Sequence, residues 1–121
     1  MSQVGTTLFD DDREQVAVAE ELVTQSLDEI LLALIALRDD ETHGTGLMED
    51  MATLFDVRPS PGTVYPRLHD LDEDDVLARH DLVQTKQYAI EDESSAAETI
   101  EDAMYQHLAV GLFLHAALDA V

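Results

Sequence analysis

The sequence has no cysteine, no tryptophan, a single lysine and three prolines among 121 residues. Without cysteine there are no disulfides, no thiolate-held zinc, no iron–sulfur cluster and no thiol redox sensor. Long apolar stretches are missing too. The longest run, Ile30 to Leu37, is eight residues, whereas a membrane-spanning helix needs about 20. No charged-then-apolar leader opens the chain, so a cytoplasmic protein without a membrane partner is expected. Neither an HExxH or paired-histidine spacing, nor a glycine-rich phosphate loop, nor a Ser-His-Asp order is present. Acidic runs such as Asp72 to Asp75 lack the apolar surroundings that would shift a carboxyl pKa toward acid–base work. The chain therefore reads as a non-enzyme, with no metal site and no cofactor.

Negative charge, by contrast, is abundant. There are 27 acidic residues against six Lys and Arg, a formal net charge of −21, yet 45% of the residues are apolar. That apolar content belongs to a globular chain, not a disordered acidic tail. Lysine depletion beside plentiful Asp, Glu, Ala, Val and Thr is the composition of haloarchaeal proteins. At ~1 M salt the Debye length is only about 3 Å, so self-repulsion is screened and the carboxylates keep the surface hydrated. Under those conditions acidity says little about the partner. Bound K+ or other cations, at acidic surfaces or wherever the protein meets an anion, are the only small species expected. By length, residues 1–121 form one domain.

Along the chain, Met1 to Phe9 carries no clear pattern. From Asp10 to Gln25, Val16, Ala19, Leu22 and Val23 make a helical stripe. Ser26-Leu27-Asp28-Glu29 has the form of a capping box opening a core helix with Leu27, Ile30, Leu31, Leu34, Ile35 and Leu37. That helix stops at the polar turn Arg38 to Glu41. Thr42-His43-Gly44 opens the next, with Leu47, Met48, Met51, Leu54 and Phe55 at helical spacing, and Asp56 to Pro59 is a turn. Ser60-Pro61 is a helix start: serine can cap orphan N–H groups and proline has no N–H to lose at the first position. Val64, Leu68 and Leu71 follow at i, i+4, i+7, with Thr63 and Arg67 assigned to the opposite face. Pro66 leaves two readings, a kinked helix from Ser60 or a helix capped at Thr63 with Pro66 in its first turn.

Val76 to Arg79 and Thr85 to Ile90 read as two short strands joined by His80 to Gln84. Ser94-Ser95 is expected to cap a last helix, Ala96 to Asp119, with Ala97, Ile100, Met104 and Leu108 inside. Its second half, Leu108 to Leu118, is apolar on every side and so must be buried on every side. A homodimer built on Met104, Leu108, Leu112, Phe113, His115 and Leu118 covers it most economically, with the Asp10 to Gln25 helix packed across. His107 is read as an interface histidine beside them.

The wording Ser60-Pro61-Gly62-Thr63-Val64-Tyr65-Pro66-Arg67-Leu68, then Leu71 and Val76-Leu77, resembles the recognition helix of the PadR family of winged helix-turn-helix regulators. His43-Gly44, just before the first helix of the helix-turn-helix, is a separate point of similarity. The resemblance covers about Ile30 to Tyr88. It implies a mainly α fold with a small β-hairpin wing: a winged helix-turn-helix core at about 26–91, with N- and C-terminal dimerisation helices at about 10–25 and 96–119. Two departures stand out. Asp75 replaces the glycine common after the recognition helix, and Lys86-Gln87 replaces a basic pair before Tyr88. Within the family, the small size, halophilic composition and absence of a long C-terminal domain look like a haloarchaeal oxidant-responsive regulator. Lacking cysteine, such a response would need methionine oxidation (Met48, Met51, Met104), a bound ligand or an upstream sensor.

Charge placement is a test independent of the wording. Four of the six basic residues, Arg58, Arg67, Arg79 and Lys86, lie between 58 and 86; no acid occurs between Val57 and His69, and only Asp81 between Val76 and Ile90. Ser60, Gly62 and Thr63 would offer a helix N-terminus to phosphate, Gly62 by letting backbone come close. Thr63 and Arg67 are the candidates for base edges. Tyr65 is either a phosphate donor or a core ring, and Arg58 reaches backbone from the turn. Arg79, Gln84, Thr85, Lys86 and Gln87 belong to the wing. The function implied is a dimeric, sequence-specific transcription regulator binding double-stranded DNA at a palindromic operator. The alternative is an acidic protein-interaction module or DNA mimic. A mimic would place carboxylates on the first half of that helix, where here there is none.

Overall fold

The computed structural model describes residues 18–38, 42–82 and 86–121. Among the described residues, five helices and three strands follow one another: α1 (Glu20–Gln25), α2 (Leu27–Leu37), β1 (Thr42–His43), α3 (Gly44–Phe55), α4 (Pro61–Glu73), β2 (Leu77–Asp81), β3 (Lys86–Ile90) and α5 (Glu93–Leu118). The first part of the expected Asp10–Gln25 helix, with Val16, lies outside the described residues. Of its remaining stripe only Val23 is buried, Leu22 being 43% exposed.

α2 is the central helix. Leu27, Leu31, Leu32, Leu34 and Ile35 are buried, too wide an arc for a surface helix. The expected Ser26–Glu29 capping box does not form. Ser26 is the α2 N-cap but makes no side-chain cap bond; its hydroxyl instead lies 3.3 Å from His107 Nε2 on α5. The α2 exit is held by Arg38, which donates Nε and Nη2 to Asp50 of α3 at 2.8 and 2.6 Å. α3 buries Leu47, Met51 and Leu54 and ends at Asp56 in the left-handed conformation, φ 56°, which short polar side chains adopt more readily than others. α4 sets Val64, Leu68 and Leu71 into the core as the i, i+4, i+7 pattern requires.

The sheet order is β1-β3-β2, antiparallel throughout. The hairpin pairs Leu77 with Ile90, Arg79 with Tyr88 and Asp81 with Lys86. Gln84 and Thr85, in its connection, lie outside the described residues. The third strand is an addition to the expected hairpin: Thr42 and His43 pair with Tyr88 and Gln87, and α3 opens directly after them at Gly44 with His43 as its N-cap. The result is mainly helical with a small, unclosed three-stranded wing.

α5 starts earlier than Ser94-Ser95 suggests, because Asp92 is the cap and accepts from the Ser95 N–H at 2.9 Å. Its phase is also corrected. Ala96 is buried with Ile100 packed partly behind it, while Ala97 is exposed and Met104 is 37% exposed. Beyond that the helix carries Leu112, Phe113 and Leu118 about 70% exposed. Among the described residues no helix is long and apolar enough to cross a membrane.

Candidate nucleic-acid interface

α3, the turn from Asp56 to Ser60, and α4 form a helix-turn-helix whose second member stands clear of the core on one side. Ser60 is extended at ψ 156° and Pro61 takes the first helical position, so the helix begins at Ser60-Pro61 and Pro66 lies inside it. Proline at that position removes the N–H that would bond to the Gly62 carbonyl, and both residues are exposed. The Ser60 hydroxyl does not cap the backbone; it lies 3.1 Å from the Thr63 hydroxyl. The Thr63 and Val64 N–H groups already bond to the Ser60 carbonyl at 2.9 and 3.1 Å. A phosphate at this end would therefore meet two hydroxyls and the Gly62 N–H; a Cβ on Gly62 would touch Ser60 Oγ at 3.8 Å.

With 3.6 residues per turn, the ridge farthest from Val64, Leu68 and Leu71 is Gly62, Pro66, His69 and Glu73, all exposed. His69 and Glu73 are 3.1 Å apart on it. Thr63 and Arg67, expected on that ridge, sit instead on the shoulder toward α2. Arg67 donates Nε and Nη2 to the two carboxylate oxygens of Asp28 at 2.7 and 2.6 Å, and Nη1 to Asp70 at 3.1 Å. The hydrogen bonds and charge of Asp28 raise the guanidinium pKa further above its already high value. The Arg67 and Asp28 side chains are 44% and 26% exposed. Such an ion pair is screened and contributes at most ~1 kcal/mol to stability.

Tyr65 occupies the other shoulder, and its position explains Gly44. A Cβ built on Gly44 would come within 2.6 Å of the Tyr65 ring and hydroxyl. Bare backbone at the start of α3 is thus what lets the recognition helix lie close. The two halves of the sequence resemblance, His43-Gly44 and the Tyr65 segment, are one packing contact.

On the wing, Arg79 Nε lies 3.3 Å from Asp81 and 3.6 Å from Asp72 of α4. Gln87 is half-buried in the ladder and Tyr88 is buried beneath it, desolvation pushing its phenol pKa up. Arg58 and Lys86 are exposed and make no ion pair among the described residues. The basic cluster legible in the sequence thus divides in two. Arg58 and Lys86 are available at its edges, while Arg67 and Arg79 are held by acids. Sequence reasoning missed Asp28, which lies 39 positions from Arg67 and follows no spacing rule. No cluster of three or more His, Asp or Glu able to hold a metal occurs among the described residues.

A helix-turn-helix followed by a small antiparallel wing, with the second helix offered to solvent, defines a winged helix-turn-helix protein. The PadR-like transcriptional regulator family matches residues 31–96, more than half of the chain, and the chain belongs to that family. PadR-type winged helix-turn-helix proteins are non-catalytic DNA-binding regulators, so the chain is not an enzyme. It is 41% identical over 96 residues to the transcriptional activator GvpE of Haloferax mediterranei, a match covering 79% of this chain and 50% of that protein. The chain spans about half the length of the curated relatives it matches. A transcriptional regulator from Clostridium thermocellum shares the fold with TM-score 0.63 at 11% identity, over 82% of this chain and 97% of that one. A complex of hsRosR-S1 does so with TM-score 0.54 at 16% identity, over 81% and 96%.

Proposed function

We propose that the chain is a homodimeric, sequence-specific DNA-binding transcription regulator working in the high-salt cytoplasm of a haloarchaeon. The observation that carries this reading is α4: an exposed helix face without an acid from Pro59 to His69, flanked by Arg58 and Lys86, on a protein of net charge −21. The unburied apolar half of α5 supports a second copy as its cover. Two recognition helices then meet a palindromic site with half-sites ~10 bp apart, or a multiple of that. Ser60, Gly62 and Thr63 take phosphate, and Arg58, Arg79, Lys86 and the adjoining wing residues Gln84, Thr85 and Gln87 flank it. Tyr65 positions the helix. The activators among the relatives favour activation as the outcome. An oxidant response would run through Met48 or Met104, which are partly exposed while Met51 is fully buried, through a bound ligand, or through an upstream sensor.

DNA affinity measured against KCl from 0.5 M upward tests the reading. Ordinary phosphate neutralisation weakens as salt rises; an acidic dimer that takes up cations between its carboxylates and the phosphates shows a flat or positive slope. No specific binding at any salt defeats the proposal. Arg67→Ala is expected to lower operator affinity by ~1–3 kcal/mol and relax one base position.

A further inference from the structure

The arginine offered to bases already has an anion. Arg67 engages both oxygens of Asp28 at 2.6 and 2.7 Å, the same two-point geometry in which a guanidinium takes guanine O6 and N7 or clasps a phosphate. Asp28, a phosphate and a guanine edge therefore compete for one set of N–H groups. Asp28 stands in the first turn of α2, whose apolar face is fixed in the core, so its carboxylate is in place before any duplex arrives. Both side chains are partly exposed, so the pair opens without unfolding the helices.

We propose that Asp28 is a specificity-determining residue, its carboxylate holding the base-reading end of Arg67 until a matching base edge displaces it. The proposal rests on the DNA-binding reading above. Trading Asp28 for a phosphate exchanges one anion for another and gains little, so Arg67 adds little on unmatched DNA. A guanine edge in register, in a groove that excludes water, gains more. Asp28 thus acts as a threshold that unmatched duplexes fail to cross.

The test uses the full chain and an operator selected from random duplexes by the wild-type protein, with a scrambled duplex of equal composition. Asp28→Asn is expected to tighten binding to both duplexes, the scrambled one most, so that the operator-to-scrambled ratio falls about tenfold. Glu49→Gln removes the same charge from an exposed site and leaves the ratio unchanged. In an Arg67→Gln background, Asp28→Asn no longer moves the ratio. A parallel readout is the Arg67 Nε–H resonance, which shifts when operator is added to the wild-type protein and is already shifted in free Asp28→Asn. Specific wild-type binding with an unchanged ratio in Asp28→Asn overturns the proposal. So does a lowered thermal midpoint with weaker operator binding, the outcome if the pair only pins α4 to α2. If selection yields no operator at any KCl concentration, the DNA-binding reading falls and takes this inference with it.

Discussion

Helix α4 buries its apolar stripe, with Val64 and Leu68 fully covered and Leu71 7% exposed, and keeps polar residues and Pro66 outside. Helix α5 is seated in the core through Ala96 and Ile100, with His107 reaching Ser26, and then carries Leu112, Phe113 and Leu118 into solvent at 68%, 72% and 71% exposure. Both are regular helices in one small fold, but their requirements differ. The core-facing side of α4 is satisfied within the chain, which frees its outer ridge for a partner that arrives through water. The second half of α5 has no polar side to offer water, and burying it takes apolar surface that the described residues do not supply. One helix is finished within the described fold; the proposed second copy would finish the other.

The largest effect that bears on this contrast is expected at α5. Phe113→Asp places a charge in the apolar face and removes an aromatic anchor of the kind worth ~2–4 kcal/mol at an interface. Sedimentation at micromolar concentration should then give half the wild-type mass, with the fold intact by circular dichroism. Operator affinity should fall by roughly two orders of magnitude, because the two half-sites are no longer linked. An unchanged mass would break the comparison and leave the apolar half of α5 without a reason.

A smaller effect is expected where α4 is seated. Gly44→Ala drives a methyl to within 2.6 Å of the Tyr65 ring, and overpacking of that kind costs about 1–3 kcal/mol. The denaturation midpoint should drop while the mass stays that of the dimer. In a Tyr65→Ala background the same change at Gly44 should cost nothing further. If it costs as much there, the closeness of α3 and α4 does not depend on this contact.

Much of the fold was legible because it rests on local rules. The stripe Val64, Leu68, Leu71, the Ser60-Pro61 start and the apolar second half of α5 follow from period and backbone chemistry. β1 was not legible, since two residues cannot display alternation; Thr42 and His43 become a strand only because Tyr88 and Gln87 supply a ladder. The phase of α5 slipped by one position, to Ala96 from Ala97, because alanines on adjacent faces carry little contrast. The direction of Arg67 was not legible for a different reason. Counting turns fixed its angle from the core only roughly, and the Asp28 carboxylate that decides its direction arrives through tertiary folding.

The exit of α4 offers the finest test, because the chain there lacks the glycine common in its family. Asp75 takes φ 62°, its N–H bonds to the Asp72 carbonyl at 3.1 Å and the Val76 N–H to the Leu71 carbonyl at 3.0 Å. This is the left-handed closure that glycine usually makes, and it delivers Val76 to the start of the wing. Aspartate meets the demand at a cost: a Cβ in a left-handed residue and a negative charge at the negative end of a helix dipole. Glycine relieves both but gives the unfolded chain more freedom to lose. The net for Asp75→Gly is a gain of ~0.5 kcal/mol, read as a rise in the denaturation midpoint. Asp75→Asn separates the causes, keeping tolerance of positive φ while removing the charge. If the dipole dominates, Asn should match Gly at low salt and lose its advantage in molar KCl; if backbone strain dominates, Gly should keep its lead over Asn at every salt. A loss of stability in Asp75→Gly would mean that the Asp75 side chain, not its backbone conformation, holds the end of α4.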